Sequence, residues 1–113
     1  MSLIRLISRS WGSWVAWFRG DLVCIDVHGD ERPSKIPRRR LIRMIDEGES
    51  WAAVMMCPCG CGEVIELSLS PASKTYWTLE IEADWPTLHP SVWRSTGCRS
   101  HFWVRRGRLH WVP

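Results

Sequence analysis

The sequence predicts a mainly β (α+β) domain of short antiparallel hairpins, with one helix near residues 36–47. Three observations predict it. Apolar and polar residues alternate over 63–70 and 76–83, the period of strands with one buried face. Turn signals such as Arg19-Gly20-Asp21, Pro71-Ala72-Ser73-Lys74 and Arg106-Gly107 break the chain at short intervals. Three cysteines crowd into the run CPCGCGE, between two strand-like segments. The chain has 113 residues and 13.2 kDa, the size of a single domain spanning 1–113. Its 45% hydrophobic and 24% charged content excludes wholesale disorder, and no apolar run is long enough to span a bilayer.

Taken in order, residues 3–18 begin with an amphipathic helical pattern of Leu3, Ile7, Trp11, Trp14 and Phe18. Gly12 and the β-formers of 14–18 make its second half a strand candidate, so that 14–18 and 22–27 form a hairpin about Gly20. Cys24 lies in the apolar run Leu22-Val23-Cys24-Ile25 and reads as a small core residue, and His28 reads as a turn residue. The helix rests on Ser34 as cap, Pro37 in the first turn, the stripe Leu41, Ile42 and Ile45, and Gly48 at the end. Residues 51–56 form an apolar strand leading into Cys57, and 63–70 a strand leaving the knuckle. Residues 84–97, with Pro86, Pro90 and Gly97, are expected to be irregular. The tail from His101 to Val112 reads as a hairpin turning at Arg106-Gly107.

Five cysteines stand at positions 24, 57, 59, 61 and 98. No signal-like apolar segment follows Arg5 and Arg9, so the expectation is a cytoplasmic, reducing setting where clustered thiols bind metal. Cys57-Pro58 and Cys61-Gly62 form a C-P-x-C-G knuckle with one residue inserted. Pro fixes its first turn, and Gly lets backbone N–H groups approach the sulfurs. Cys98 and His101 supply a second pair, and two close pairs far apart in sequence suit a structural Zn2+ site. The expected ligands are Cys57, Cys61, Cys98 and His101, with Cys59 as the alternative and His89 and His110 in reserve. The layout strand, knuckle, strand is that of a zinc ribbon. An iron–sulfur cluster on Cys57, Cys59, Cys61 and Cys98 matches no ferredoxin spacing.

Nine Trp, and fifteen basic residues of which only Lys35 and Lys74 are lysine, make an unusual composition. Guanidinium groups stack on aromatic rings, and both residue types are enriched at interface hot spots. Trp93, Arg94, Trp103 and Arg105 are therefore the candidate protein-binding residues. The net charge of +3 is small for a nucleic-acid protein, although Arg blocks and aromatics suit single strands. For a metal-dependent hydrolase the reserve catalytic candidate is Glu63, beside the knuckle, with Asp84 or His89. Ser91 and Ser100 lie near histidines in sequence without a recognisable triad spacing. Four protein ligands on the metal favour a structural role, so catalysis is not the expectation.

The runs CPCGCGE, PTLHPSVW and GCRSHFWVRRGRLHW resemble, over about residues 20–112, a family of small bacterial proteins of unknown function. They occur in mobile elements and beside operons for bacterial ubiquitin-like conjugation. The matching positions are Cys57, Cys61, Glu63, Pro90, Ser91, Cys98 and His101. The resemblance implies an adaptor component of such a system, with the ubiquitin-like modifier or its E1-like and E2-like enzymes as partners. It also implies a deconjugating hydrolase as the alternative role. Relatives with C-P-G-C-G-E lack one cysteine, which makes Cys59 the spare.

Overall fold

The computed structural model describes residues 22–113. Eight strands follow one another: β1 (Val23–His28), β2 (Arg40–Asp46), β3 (Glu49–Met56), β4 (Val64–Ser68), β5 (Thr78–Glu82), β6 (Trp85–Trp93), β7 (His101–Arg105) and β8 (Arg108–Trp111). They form two four-stranded sheets, ordered β1-β2-β3-β4 and β5-β6-β7-β8. Every pairing is antiparallel except β1 with β2, which is parallel. The mainly β class holds. The expected hairpin between 14–18 and 22–27, and the helical pattern of 3–18, involve residues outside the described range.

The two sheets share one core. Leu41, Ala53, Met55, Ile65 and Leu67 of the first pack with Leu88, Val92, Phe102 and Val104 of the second, and Cys24 joins them as a core residue. Ile42, Met44, Ala52 and Val54 are buried on the opposite face of the first sheet, with Val27, Ile36, Trp51 and Val64 against them. The middle of the first sheet is thus buried on both faces, which explains the unbroken apolar runs of β2 and β3.

That double burial corrects the expected helix. Residues 40–46 form strand β2, and the described residues contain no helix. Leu41, Ile42, Met44 and Ile45 fit a helical stripe by spacing, but a strand buried on both sides produces the same spacing. Arg39 and Glu47 have φ of 60° and 50°, which a helix interior does not accept. Glu47-Gly48 is instead a hairpin turn, with both residues at positive φ and Asp46 opposite Glu49. Ala83-Asp84 and Arg106-Gly107 repeat the device between β5 and β6 and between β7 and β8.

The second correction concerns residues 84–97, whose first part is the nine-residue strand β6. Its prolines sit where the ladder does not need their missing N–H. The Pro86 carbonyl accepts the N–H of Gly107 at 2.7 Å, and a cis peptide precedes Pro90. Pro90 falls in an irregularity: Leu88 pairs with Val104 and Val92 with Phe102, so four steps along β6 match two along β7.

Two backbone bonds tie the start of the first sheet to the turns of the second. Leu22 N–H donates to the Gly107 carbonyl at 2.6 Å, and Cys24 N–H to the Asp84 carbonyl at 2.8 Å. Gly107 is required at its turn. Its φ is 79°, and an added Cβ would lie 2.6 Å from the Leu22 carbonyl oxygen. Between β1 and β2, Arg43 grips Asp26 in a fork of 2.8 and 2.7 Å.

Candidate functional site

Two loops meet at one end of the sandwich. The first, residues 57–63, joins β3 to β4. Cys57 N–H donates to the Glu63 carbonyl at 2.8 Å, and the N–H of Gly60 to the Cys57 carbonyl at 3.2 Å. The backbone N–H of Cys61 points at the Cys59 sulfur, 3.3 Å away. Gly60 and Gly62 have φ of 89° and 86°, which lets the loop reverse tightly around its thiols. The second loop, residues 94–100, joins β6 to β7. Arg94 N–H donates to the Ser100 carbonyl at 2.8 Å, and Gly97 and Arg99 adopt positive φ.

Together the loops gather Cys57, Cys59, Cys61 and Cys98, whose sulfurs all lie within 4.8 Å of one another. Cys57 Sγ is 3.4 Å from Cys59 Sγ and 3.6 Å from Cys98 Sγ. All are free thiols. A tetrahedral zinc with bonds of about 2.3 Å sets its sulfurs about 3.8 Å apart, so the cluster has the dimensions of a metal centre. Burial pushes the Cys57 thiol up to about 12, whereas Ser100 draws Cys98 down to about 6. Ser100 is itself buried, with Oγ 3.2 Å from Cys98 Sγ and 3.8 Å from Cys57 Sγ. One thiol is therefore prepared as thiolate, and another needs a cation before it can ionise.

His101 is not among these four residues. Its Nε2 lies 2.9 Å from the Ser91 hydroxyl, and its ring stacks on Trp93 with centroids 5.1 Å apart at 15°. The topology explains the placement. Trp93 and His101 are directly opposite in the β6–β7 ladder, so their side chains share a face. Ser91, two residues before Trp93, stands beside the irregularity of β6. Such bulges re-aim side chains near active sites. The Trp77 indole N–H fixes the Ser91 backbone by donating to its carbonyl at 3.3 Å. Serine and histidine are thus within hydrogen-bonding reach, each braced by a tryptophan. That arrangement can activate a hydroxyl as a nucleophile.

The remaining candidates surround these two centres. Trp93 is 70% exposed, and Arg105 lies 4.8 Å over the half-buried Trp103 ring. Glu63 is engaged by Arg94 at 3.1 Å, a surface carboxylate paired with a largely buried guanidinium. His110 stands opposite Trp103, and His89 is exposed opposite Thr78; neither belongs to the cysteine group. Asp84 occupies a hairpin turn. Spacing alone missed the Ser91–His101 pair. Its one trace in the sequence was the presence of both residues in the runs PTLHPSVW and GCRSHFW, since strand register brings them together.

The chain is similar to known proteins at the family level. A family model described as "BubE: Bacterial ubiquitination-like system serine protease" matches residues 28–112. No curated protein and no solved structure matches the chain.

Proposed function

From a chain that belongs to the BubE family of bacterial ubiquitination-like systems, we propose a serine hydrolase that cleaves acyl bonds to a ubiquitin-like modifier. The observation that carries this reading is the 2.9 Å contact between Ser91 Oγ and His101 Nε2. With its proton on Nδ1, His101 accepts the Ser91 hydroxyl proton as Oγ attacks the acyl carbon. The imidazolium then returns that proton to the leaving amine, which departs and leaves the acyl group esterified on Ser91. Water attacks the ester with His101 again as base, releasing the acid and restoring the hydroxyl. Trp93 holds the imidazole plane by stacking, and Trp77 holds the Ser91 backbone. Trp93, Trp103 and Arg105 flank the pair and supply the surface that grips the protein partner.

In the same reading, Cys57, Cys59, Cys61 and Cys98 hold zinc as a structural centre. Bound there, the ion supplies folding energy, because four sulfurs complete a tetrahedron. A water-activating metal is disfavoured by that donor set, and so is Glu63 as a base, since Arg94 occupies it. Cys98, held in such a centre, would brace the loop whose last residue, Ser100, precedes His101.

The test is covalent labelling. A fluorophosphonate probe should attach to Ser91 in the purified protein, located by peptide mass spectrometry. Ser91→Ala and His101→Ala should each lower release of the modifier from a conjugate by about 1,000-fold or more. Undiminished release by folded Ser91→Ala would remove the hydrolase reading and return the protein to a binding role.

A further inference from the structure

Arg94 is a half-buried cation at the junction of the two loops. It directly follows Trp93 at the end of β6, and its backbone N–H donates to the Ser100 carbonyl at 2.8 Å. Its Nη2 donates to Glu63 Oε2 at 3.1 Å, so the side chain spans from the second loop to the first. The Arg94 side chain is 19% exposed and that of Glu63 62%, which puts the carboxylate in solvent and the guanidinium beneath it. Its other nitrogen, Nη1, is buried without any hydrogen-bond partner, alone in this among the side-chain nitrogens and oxygens of the described residues. Leaving such a donor unsatisfied costs about 1–3 kcal/mol, more for a charged group. Burial works against the charge of Arg94, and Glu63, Cys57 and Cys98 outweigh it, holding the group above the usual arginine range. Ser100, whose carbonyl takes the Arg94 N–H, has its hydroxyl 3.2 Å from Cys98 Sγ and 3.8 Å from Cys57 Sγ, so Arg94 stands beside the thiol group.

Four thiolates around a dication leave a net charge of about −2, at a site where Cys57 is buried and Cys59, Cys61 and Cys98 are exposed. A negative centre in that position calls for a fixed positive neighbour. We propose that Arg94 is part of the metal centre, holding Glu63 with Nη2 and presenting Nη1 to the sulfurs of Cys57 and Cys98 as their charge-balancing donor. This rests on the metal reading above. The planar fork explains the residue type: two nitrogens at fixed separation serve a carboxylate and a sulfur at once, which an ammonium does not. The metal centre is thereby wired into β6, three residues past Ser91.

Metal retention tests the proposal without recourse to activity. The purified protein loaded with Co2+ should show the intense near-ultraviolet charge-transfer absorption of four thiolates. If it shows none, the metal reading fails and this inference goes with it. Given that signature, zinc transfer to a chromophoric chelator should be about 10- to 100-fold more favourable from Arg94→Gln than from the unaltered chain, the usual effect of removing a partner of metal ligands. Arg94→Lys, which keeps the charge but loses the fork, should fall between them. Equal retention in either folded variant overturns the role of Arg94 and leaves the metal centre standing. A measurement on the unaltered protein guards against unfolded variants. In the Cd2+-loaded form the Arg94 guanidinium protons should exchange with water far more slowly than those of exposed Arg108. Equal exchange overturns the proposal.

Discussion

Cys57 and Cys98 share one cluster and have opposite chemistry. Burial holds Cys57 up to about 12, so below that pH it is a thiol; Ser100 holds Cys98 down to about 6, so above that pH it is a thiolate. The thiolate is the nucleophile. In metal-free protein, iodoacetamide should therefore modify Cys98 at pH 7 at close to its limiting rate, falling as pH drops below about 6, with Cys57 untouched. Peptide mass spectrometry reads both sites, and loading with zinc should protect Cys98. At this scale the sequence was informative about residue type. Cys57, Cys61 and Cys98 were legible as one cluster, because thiols close in sequence and a fourth after a glycine announce themselves. The place of His101 was not, because a histidine next to a cysteine pair and a histidine opposite a serine look alike until the ladder register is known.

Among the elements, the two-residue hairpins set the register of both sheets. The turn at Arg106-Gly107 was visible as glycine between alternating runs, while Ala83-Asp84 lacks glycine and was not. Glu47-Gly48 was mistaken for a helix end, since glycine closes both devices. The strands β4, β5 and β7 show their alternation in the burial of successive residues, whereas β2 and β3, covered on both faces, do not. Gly107 has the least freedom of these turn residues. Gly107→Ala should cost about 3 kcal/mol, from the positive φ and the approach of the Leu22 carbonyl together. Chemical denaturation checks the value. Gly60→Ala has open space around the added methyl and should cost about 1 kcal/mol by the same measure.

For the whole molecule, the cysteine cluster joins the β3–β4 connection of one sheet to the β6–β7 connection of the other. At the opposite end the sheets meet through Leu22 and Gly107. Stripping metal with a strong chelator should therefore lower the melting temperature by 10 °C or more, about 2 kcal/mol or above for a domain of this size. Hydrogen exchange should show protection lost first at residues 57–63 and 94–101, with the β7–β8 turn retained. Uniform loss across both sheets would show that the junction is not a separate cooperative unit. The mainly β architecture and a cysteine cluster able to hold a metal were open to reading from composition and spacing. The division into two sheets was not, because it depends on which hairpin faces which.

The mismatch between β6 and β7 has a further consequence. Shortening β6 by its surplus pair of residues between Leu88 and Val92 would let the two strands match rung for rung. Such a chain would gain backbone bonds and regularity, yet the hydroxyl would be carried off from its imidazole. The native strand has the irregular version, in which the Ser91 hydroxyl stands 2.9 Å from the His101 imidazole.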